Sequence, residues 1–297
     1  MAGPDSHWFI HSTRRTVTKL AEQLSQRVAA GEPCWFPRLA DDLVQRFWTS
    51  TMHLDQKSYR TAAWLKEPAE ELGEQVPGQA NMFVEPLPRS LTRRFTGSQF
   101  PEAAPAMALG IASALLRLGR SGPAASVSTL VRSIHCVEAS EPGYDFSHSE
   151  PGIPFSVLLS NPIGGRHAEL RLAESLLHEA MHLQLTLIER EAPMVSPGPS
   201  SRYSPWQRRD RPIQGLLHGL YVFTAIHQWL RLLGNDSSLE PEDRIYVDRR
   251  LAEIAAEVGE LADLDSDAAL TSLGGTLAIY LLGEFGDCAK TNFTTIA

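Results

Sequence analysis

Three residues in one short segment have the types and spacing of a metal site. The segment ESLLHEAMHLQL carries His178, Glu179 and His182 in a His-Glu-x-x-His pattern. Residues four apart lie on one face of an α-helix, so both imidazoles can bind one ion. In metallopeptidases with this pattern the glutamate, about 100° around the helix, polarises a metal-bound water. The alternative is a chance pattern in which both histidines are hydrogen-bonded members of the core.

A third ligand is needed, and the residues downstream of the motif exclude one class of enzyme. Leu185 and Ile188 stand where the metzincin pattern requires glycine and histidine. A gluzincin would use a glutamate from a later helix, and Glu240 and Glu242 are available, but they lie in a polar turn. A histidine on a later helix is therefore the better source of the third ligand.

The helix predicted for PIQGLLHGLYVFTAIHQWLRLLG has a histidine near its centre. His218 is flanked by Gly215 and Gly219, and small residues there would let this helix approach the His178 helix closely. We predict that His218 is the third metal ligand. The alternative is that His218 is a core histidine hydrogen-bonded to a carbonyl group. Tyr221 shares the face of His218 and could support the ligand or contact substrate.

Several arginines precede this helix, in the segment SPWQRRDRPIQ. Arg211 lies seven residues, or two helical turns, before His218. Its guanidinium could therefore reach a carboxylate at the metal and hold it with two hydrogen bonds. A solvated loop that pairs with Asp210 and nearby acids is an equal alternative for Arg211. For Arg208 and Arg209 the solvated loop is the favoured interpretation.

The elements around the motif predict an α+β fold that is predominantly helical, with a small β-sheet beside the His178 helix. Apolar residues at helical spacing favour helices, and two short apolar runs after residue 126 favour strands. Helices are expected in TRRTVTKLAEQLSQRVAAGE, DDLVQRFWTSTMHLD, AMALGIASALLRLG, residues 168–191, PIQGLLHGLYVFTAIHQWLRLLG, PEDRIYVDRRLAEIAAEVGEL and SDAALTSLGGTLAIYLLGEF, and strands in STLVRSIHCVEA and IPFSVLLSN.

We predict loops for the remaining long segments, and we expect the chain to consist of two regions. Segments 68–100 and 192–211 are expected to be mostly loop, because the first is rich in proline, glycine and charge and the second holds four prolines. Residues 1–125 form the expected helical N-terminal region, which could recognise substrate. Residues 126–297 form the expected metal-binding catalytic region, packed with the first as one compact unit.

The composition limits the classes of function. A net charge of −8 over 297 residues argues against a nucleic-acid partner, which would require a basic surface. Three separated cysteines, Cys34, Cys136 and Cys288, indicate free thiols in a reducing compartment. The start MAGPDSHWFIHSTRR lacks the apolar core of a signal peptide, and no apolar run is long enough to span a membrane. We expect a cytoplasmic protein with no membrane partner.

Three segments together resemble one known family. The run LAESLLHEAMHLQL, the block SPWQRRDRPIQGLLHGLYVF and the preceding PGIPFSVLLSN are similar to those of the HEXXH-motif peptide-modification proteins. Members of that family are encoded beside ribosomally made peptide natural products. The resemblance covers residues 147–230 and leaves the N-terminal half unmatched.

This resemblance implies a dioxygenase that uses iron(II), 2-oxoglutarate and O2 to hydroxylate a β-carbon of a ribosomal precursor peptide. It implies that His178, His182 and His218 hold the iron. It also implies that Arg211 anchors the 2-oxoglutarate carboxylate, with Arg208 as a second candidate. Three histidines are compatible with zinc as well as with iron, so the ligand type alone does not decide.

Two other functions remain open from the sequence. In a zinc metallopeptidase Glu179 would be the general base, whereas in the hydroxylase it becomes a hydrogen-bond partner or a substrate contact. A glutamate as third ligand would favour the peptidase, and an arginine directed at the metal would favour the hydroxylase. The third possibility is a non-catalytic scaffold that binds a leader peptide, and the intact motif counts against it.

Overall fold

The structure is a computed structural model of the chain, and it describes residues 14–51, 59–67, 73–92, 104–137, 145–160 and 165–291. The expected absence of a signal peptide concerns residues 1–13, which lie outside this set, as do parts of the loop expected at 68–100. Cys34 and Cys136 are free thiols, in line with the prediction. The side chain of Cys288 lies outside the described residues.

The protein has an α+β fold in which helices predominate, as predicted. The helices are α1 (Arg14–Ala29), α2 (Pro37–Ser50), α3 (Thr61–Trp64), α4 (Arg89–Thr92), α5 (Ala104–Ser121), α6 (Ala124–Leu130), α7 (Ala168–Glu191), α8 (Ile213–Gly234), α9 (Pro241–Gly259) and α10 (Ser272–Thr291). The strands are β1 (Glu74–Gln75), β2 (Phe83–Val84), β3 (Ser133–Val137), β4 (Ser147–His148), β5 (Ser156–Ser160), β6 (Ser201–Ser204) and β7 (Arg209–Pro212).

The larger sheet is mixed and has the strand order β1-β2-β3-β5-β4. β3 lies parallel to both β2 and β5, while β1 and β4 join the two ends in antiparallel pairs. Every residue of β3 and of β5 is buried, which is typical of central parallel strands covered on both faces. The two apolar runs predicted as strands thus form the centre of this sheet.

One predicted strand begins later than the sequence indicated, because a helix precedes it. Residues Ala124–Leu130 form α6, and the strand β3 starts only at Ser133. Val127 and Leu130, three residues apart, are both buried on one side of α6. Spacing of this kind suits a helix face, whereas alternation would have suited a strand.

The chain divides into two compact units, of residues 1–36 with 185–297 and of residues 37–184. The boundary expected between residues 125 and 126 falls inside the second unit. There β2, which precedes that boundary, pairs with β3, which follows it. The sheet therefore contains strands from both of the expected regions. α6 also packs against α2, again across residue 126.

The helix α7 carries the His-Glu-x-x-His motif and has the predicted ends. Glu169 in its first turn and Arg190 in its last turn match the charge preference of a helix dipole. Within the second unit, Arg171 forms an ion pair with Asp145, which lies two residues before β4, with nitrogen-to-oxygen distances of 2.5 and 2.6 Å. This pair ties the start of α7 to the edge of the sheet.

The segment 192–211, predicted as a loop, contains a β-hairpin. β6 and β7 pair antiparallel with Arg202 opposite Arg211 and Ser204 opposite Arg209, and residues 205–208 form the turn. Proline is tolerated at the ends of a two-stranded sheet because no central ladder bond is lost there. The described part of the chain contains no helix that is long and apolar enough to cross a membrane.

Candidate metal centre

The two histidines of the motif face each other on α7. The Nε2 atoms of His178 and His182 are 3.2 Å apart, and the two rings meet at 66°. Leu176, Leu177 and Met181 around them are fully buried, whereas a quarter of the His178 side chain is exposed. The helix is therefore held by its apolar faces and presents the histidine pair at a partly open position.

The separation of these nitrogens tests whether the pair fits a metal ion. Imidazole nitrogens bind such ions at about 2.0–2.1 Å, and two ligands at an angle of about 100° are then about 3.2 Å apart. The observed 3.2 Å matches that value. A direct hydrogen bond between the two rings has a similar length and requires opposite tautomers. The residues present fit an ion held by both histidines.

Glu179 is buried beside the pair. Its side chain is almost fully enclosed, and Oε1 lies 3.9 Å from Nε2 of His178. That distance is too long for a direct hydrogen bond but leaves the carboxylate close to the position an ion would take. The geometry therefore suits both a group that orients a neighbour and a group that receives a proton from bound water.

His218 lies on α8 in the first unit, where its partner is a carboxylate that sequence reasoning missed. Nε2 of His218 is 3.0 Å from Oε2 of Glu189, and the two side chains are 14% and 13% exposed. Gln214 donates from Nε2 to the same oxygen at 2.7 Å. The one available signal was spacing, because Glu189 follows His178 by eleven residues and so lies on the same stripe of α7.

Arg211 lies against the first turns of α8. A Cβ atom added to Gly215 would be 3.2 Å from Nε and 3.3 Å from Nη2 of Arg211, so the guanidinium covers this glycine. His218 follows Gly215 by three residues, on the neighbouring part of the helix face. Arg208 differs, because it is exposed in the hairpin turn with a φ of 50°.

The small residues of α8 make room for the hairpin. A Cβ added to Gly219 would be 2.4 Å from Cζ3 of Trp206, whose ring also stacks on Phe223 with centroids 4.9 Å apart. Gly215 is covered by Arg211, as described above. The atoms closest to both glycine positions therefore belong to the hairpin.

Tyr221 and His227, further along α8, are both buried. The Tyr221 hydroxyl donates to the carbonyl oxygen of Cys34 at 2.7 Å, and burial raises its pKa well above the usual range. His227 packs against Phe285 with ring centroids 4.5 Å apart. In this unit Tyr221 therefore holds α8 to the segment after α1.

Among the described residues, no group of three or more His, Cys, Asp or Glu side chains is arranged to hold a metal ion. The candidate centre is therefore the His178–His182 pair with Glu179 in the second unit, while His218 on α8 and Arg211 on β7 belong to the first unit. Comparison of the chain with protein-family models gives no match, and comparison with curated proteins gives no significant one.

Proposed function

We propose that this protein is an iron(II)- and 2-oxoglutarate-dependent dioxygenase that hydroxylates a side-chain β-carbon of a ribosomally synthesised precursor peptide. The observation that carries the proposal is the 3.2 Å approach of the His178 and His182 nitrogens on a partly exposed stretch of a buried helix. The resemblance of residues 147–230 to the peptide-modification family supports it further.

Three histidines would hold the iron. His178 and His182 supply two nitrogens, and His218 is proposed as the third ligand from its position in the sequence and from the resemblance. Three protein ligands leave room for both oxygens of a keto acid and for O2. When bound, the iron would couple oxidation of 2-oxoglutarate to insertion of oxygen into a C–H bond.

Arg211 would bind the distal carboxylate of 2-oxoglutarate. Its guanidinium is placed against Gly215, one turn before His218, at the start of α8. Arginine holds a carboxylate with two parallel hydrogen bonds, and a helix N-terminus favours the same negative charge. Arg208 is the second candidate for this contact, from the exposed turn of the hairpin.

Glu179 and Tyr221 would act without taking up a substrate proton. Hydroxylation needs no activated water, so the buried Glu179 carboxylate would orient His178 or the peptide. Tyr221 would keep α8 in place through its bond to Cys34. A cytoplasmic location fits this function, because ribosomes supply the precursor peptide there and free thiols such as Cys34 and Cys136 persist.

A zinc metallopeptidase is the second candidate, and one observation favours it. The buried Glu179 carboxylate lies beside the histidine pair, with Oε1 3.9 Å from Nε2 of His178, where it could reach a metal-bound water as a general base. The hydrolysis step itself requires no arginine, whereas 2-oxoglutarate needs a carboxylate anchor, which Arg211 at the entry to α8 could supply. We therefore prefer the hydroxylase.

Turnover of the co-substrate tests the proposal without knowledge of the peptide. Protein freed of metal and reloaded with iron(II) in air should convert 2-oxoglutarate slowly to succinate, and His178→Ala should stop this. Succinate formation no faster than with free iron, together with cleavage of a mixed peptide library by zinc-loaded protein, would favour the peptidase.

A further inference from the structure

Arg132 lies in the interior of the second unit, at the point where α6 leads into β3. Its N–H group donates to the carbonyl oxygen of Phe155, directly before β5, and its carbonyl oxygen accepts from the N–H group of Phe83 in β2. The residue is only 7% exposed. The side chain therefore starts from the end of the sheet at which the parallel strands β2, β3 and β5 begin.

The guanidinium of Arg132 has no acidic partner among the described residues. Its Nε atom is enclosed and makes no hydrogen bond. Burial lowers the pKa of Arg132, and no neighbouring carboxylate opposes that shift. The last turn of α6 offers only the partial negative charge of a helix C-terminus, which is smaller than the full charge of a carboxylate.

Two other arginines of the second unit show the usual arrangement. Nε of Arg60 lies 3.4 Å from Oε2 of Glu85, and Arg171 is paired with Asp145. Burial lowers the pKa of Arg60, and the charge of Glu85 raises it. Both of these arginines are less deeply buried than Arg132. The arginine whose charge is most costly to bury is therefore the one that lacks a counter-ion.

We propose that Arg132 binds a small oxyanion, either a carboxylate or a phosphate group, at this end of the sheet. Arginine remains protonated at neutral pH, and a buried charge without a partner is strongly unfavourable. The planar fork of N–H groups matches two oxygens of a carboxylate or of a phosphate. Oγ of Ser133 also lacks a partner, but successive residues of a strand face opposite sides of the sheet, so it is not part of this site. The inference does not depend on the proposed function.

Thermal unfolding of the full-length protein with added anions tests the site. Phosphate and succinate are the two probes, each compared with sodium chloride at the same ionic strength. We expect at least one probe to raise the unfolding midpoint in a saturable way, because a ligand that binds only the folded chain stabilises it. A rise with phosphate alone would identify a phosphate group as the ligand, and a rise with succinate alone a carboxylate. No saturable rise with either probe would overturn the inference.

Replacement of the arginine assigns the effect to this position. Arg132→Met removes the charge and keeps an apolar stem, so the saturable rise should be lost. Arg38→Met is the matched control, since Arg38 is an exposed arginine of the same unit, and it should respond as the wild type does. A rise of equal size in Arg132→Met and in the wild type would show that the anions act elsewhere and would contradict the proposed site.

A second variant keeps the test decisive where Arg132→Met does not fold. Arg132→Lys retains the positive charge but loses the planar fork. This variant should therefore need a higher concentration of the same anion for the same rise in midpoint. An unchanged concentration dependence would show that Arg132 does not contact the anion.

Discussion

The chemistry proposed for this protein depends on a few side chains of α7 and α8. The spacing of His178 and His182 predicted that their nitrogens meet, and they do at 3.2 Å. Glu189 was not predicted, because its contact with His218 depends on how two helices pack and not on local spacing. A helical period shows which residues share a face, but the partner of that face is a tertiary property.

Replacement of Glu179 separates the two candidate enzymes at the level of one residue. In the hydroxylase Glu179→Gln should retain iron binding and oxidise 2-oxoglutarate within about tenfold of the wild-type rate. In a peptidase the loss of a general base should cost about 10²–10⁴-fold. The rates of succinate formation and of peptide cleavage measure both, with His178→Ala as the inactive control. Near-complete loss of 2-oxoglutarate oxidation with iron still bound would contradict the orienting role.

His227 predicts a dependence of stability on pH. Burial, together with the nearby charge of Arg231, lowers the pKa of His227 to about 4. Since the unfolded chain has the ordinary value of about 6.5, it binds more protons than the folded chain between these two values. The contribution of neutral His227 to the free energy of unfolding should therefore be complete above about pH 6.5. It should decrease as the pH falls toward 4, by about 3 kcal/mol at most.

A neutral variant isolates this contribution. His227→Leu should unfold in urea with a midpoint that falls less between pH 7 and pH 4.5 than the wild-type midpoint does. Nδ1 of His227 is buried without a hydrogen-bond partner among the described residues, so the leucine removes no hydrogen bond from that nitrogen. Equal pH dependence of the two proteins would show that His227 titrates normally when folded.

At the scale of elements, long periodic helices were predicted well and short elements were not. α7 has the expected ends, and α8 runs to the expected Gly234 after an entry at Pro212. The hairpin of β6 and β7 was missed, because its strands, SRYS and RDRP, are short, exposed and flanked by prolines. Such strands form through their pairing and have no apolar pattern of their own.

Two glycines of α10 provide a matched test of close packing. A Cβ at Gly274 would be 2.0 Å from the carbonyl oxygen of Met194, whereas a Cβ at Gly283 would meet nothing within 4 Å. Gly274→Ala should lower the free energy of unfolding by about 1–3 kcal/mol, because backbone must move to admit the methyl group. Gly283→Ala should raise it by up to about 1 kcal/mol through helix propensity. Urea denaturation measures both, and equal effects of the two substitutions would show that the contact at Gly274 is absent.

At the scale of the whole molecule, the grouping of the elements could not be predicted from the sequence. α1 packs against α10, about 250 residues later in the chain. The first unit therefore combines an early segment of the chain with a late one. The second unit is a continuous segment whose sheet pairs β2 with β3 across the expected boundary. Non-local pairings of this kind leave no local pattern in the sequence. Composition and periodicity therefore predicted the α+β class but not which segments share a core.

The visible spectrum of the metal-loaded protein tests the central claim most directly. Iron(II) and then 2-oxoglutarate are added to metal-free protein in the absence of oxygen. We predict a weak charge-transfer band that requires both additions and is absent in His178→Ala and His218→Ala. Arg211→Met should need a higher 2-oxoglutarate concentration to produce the band. Absence of any band in a wild-type protein that retains stoichiometric zinc would contradict the assignment as a hydroxylase.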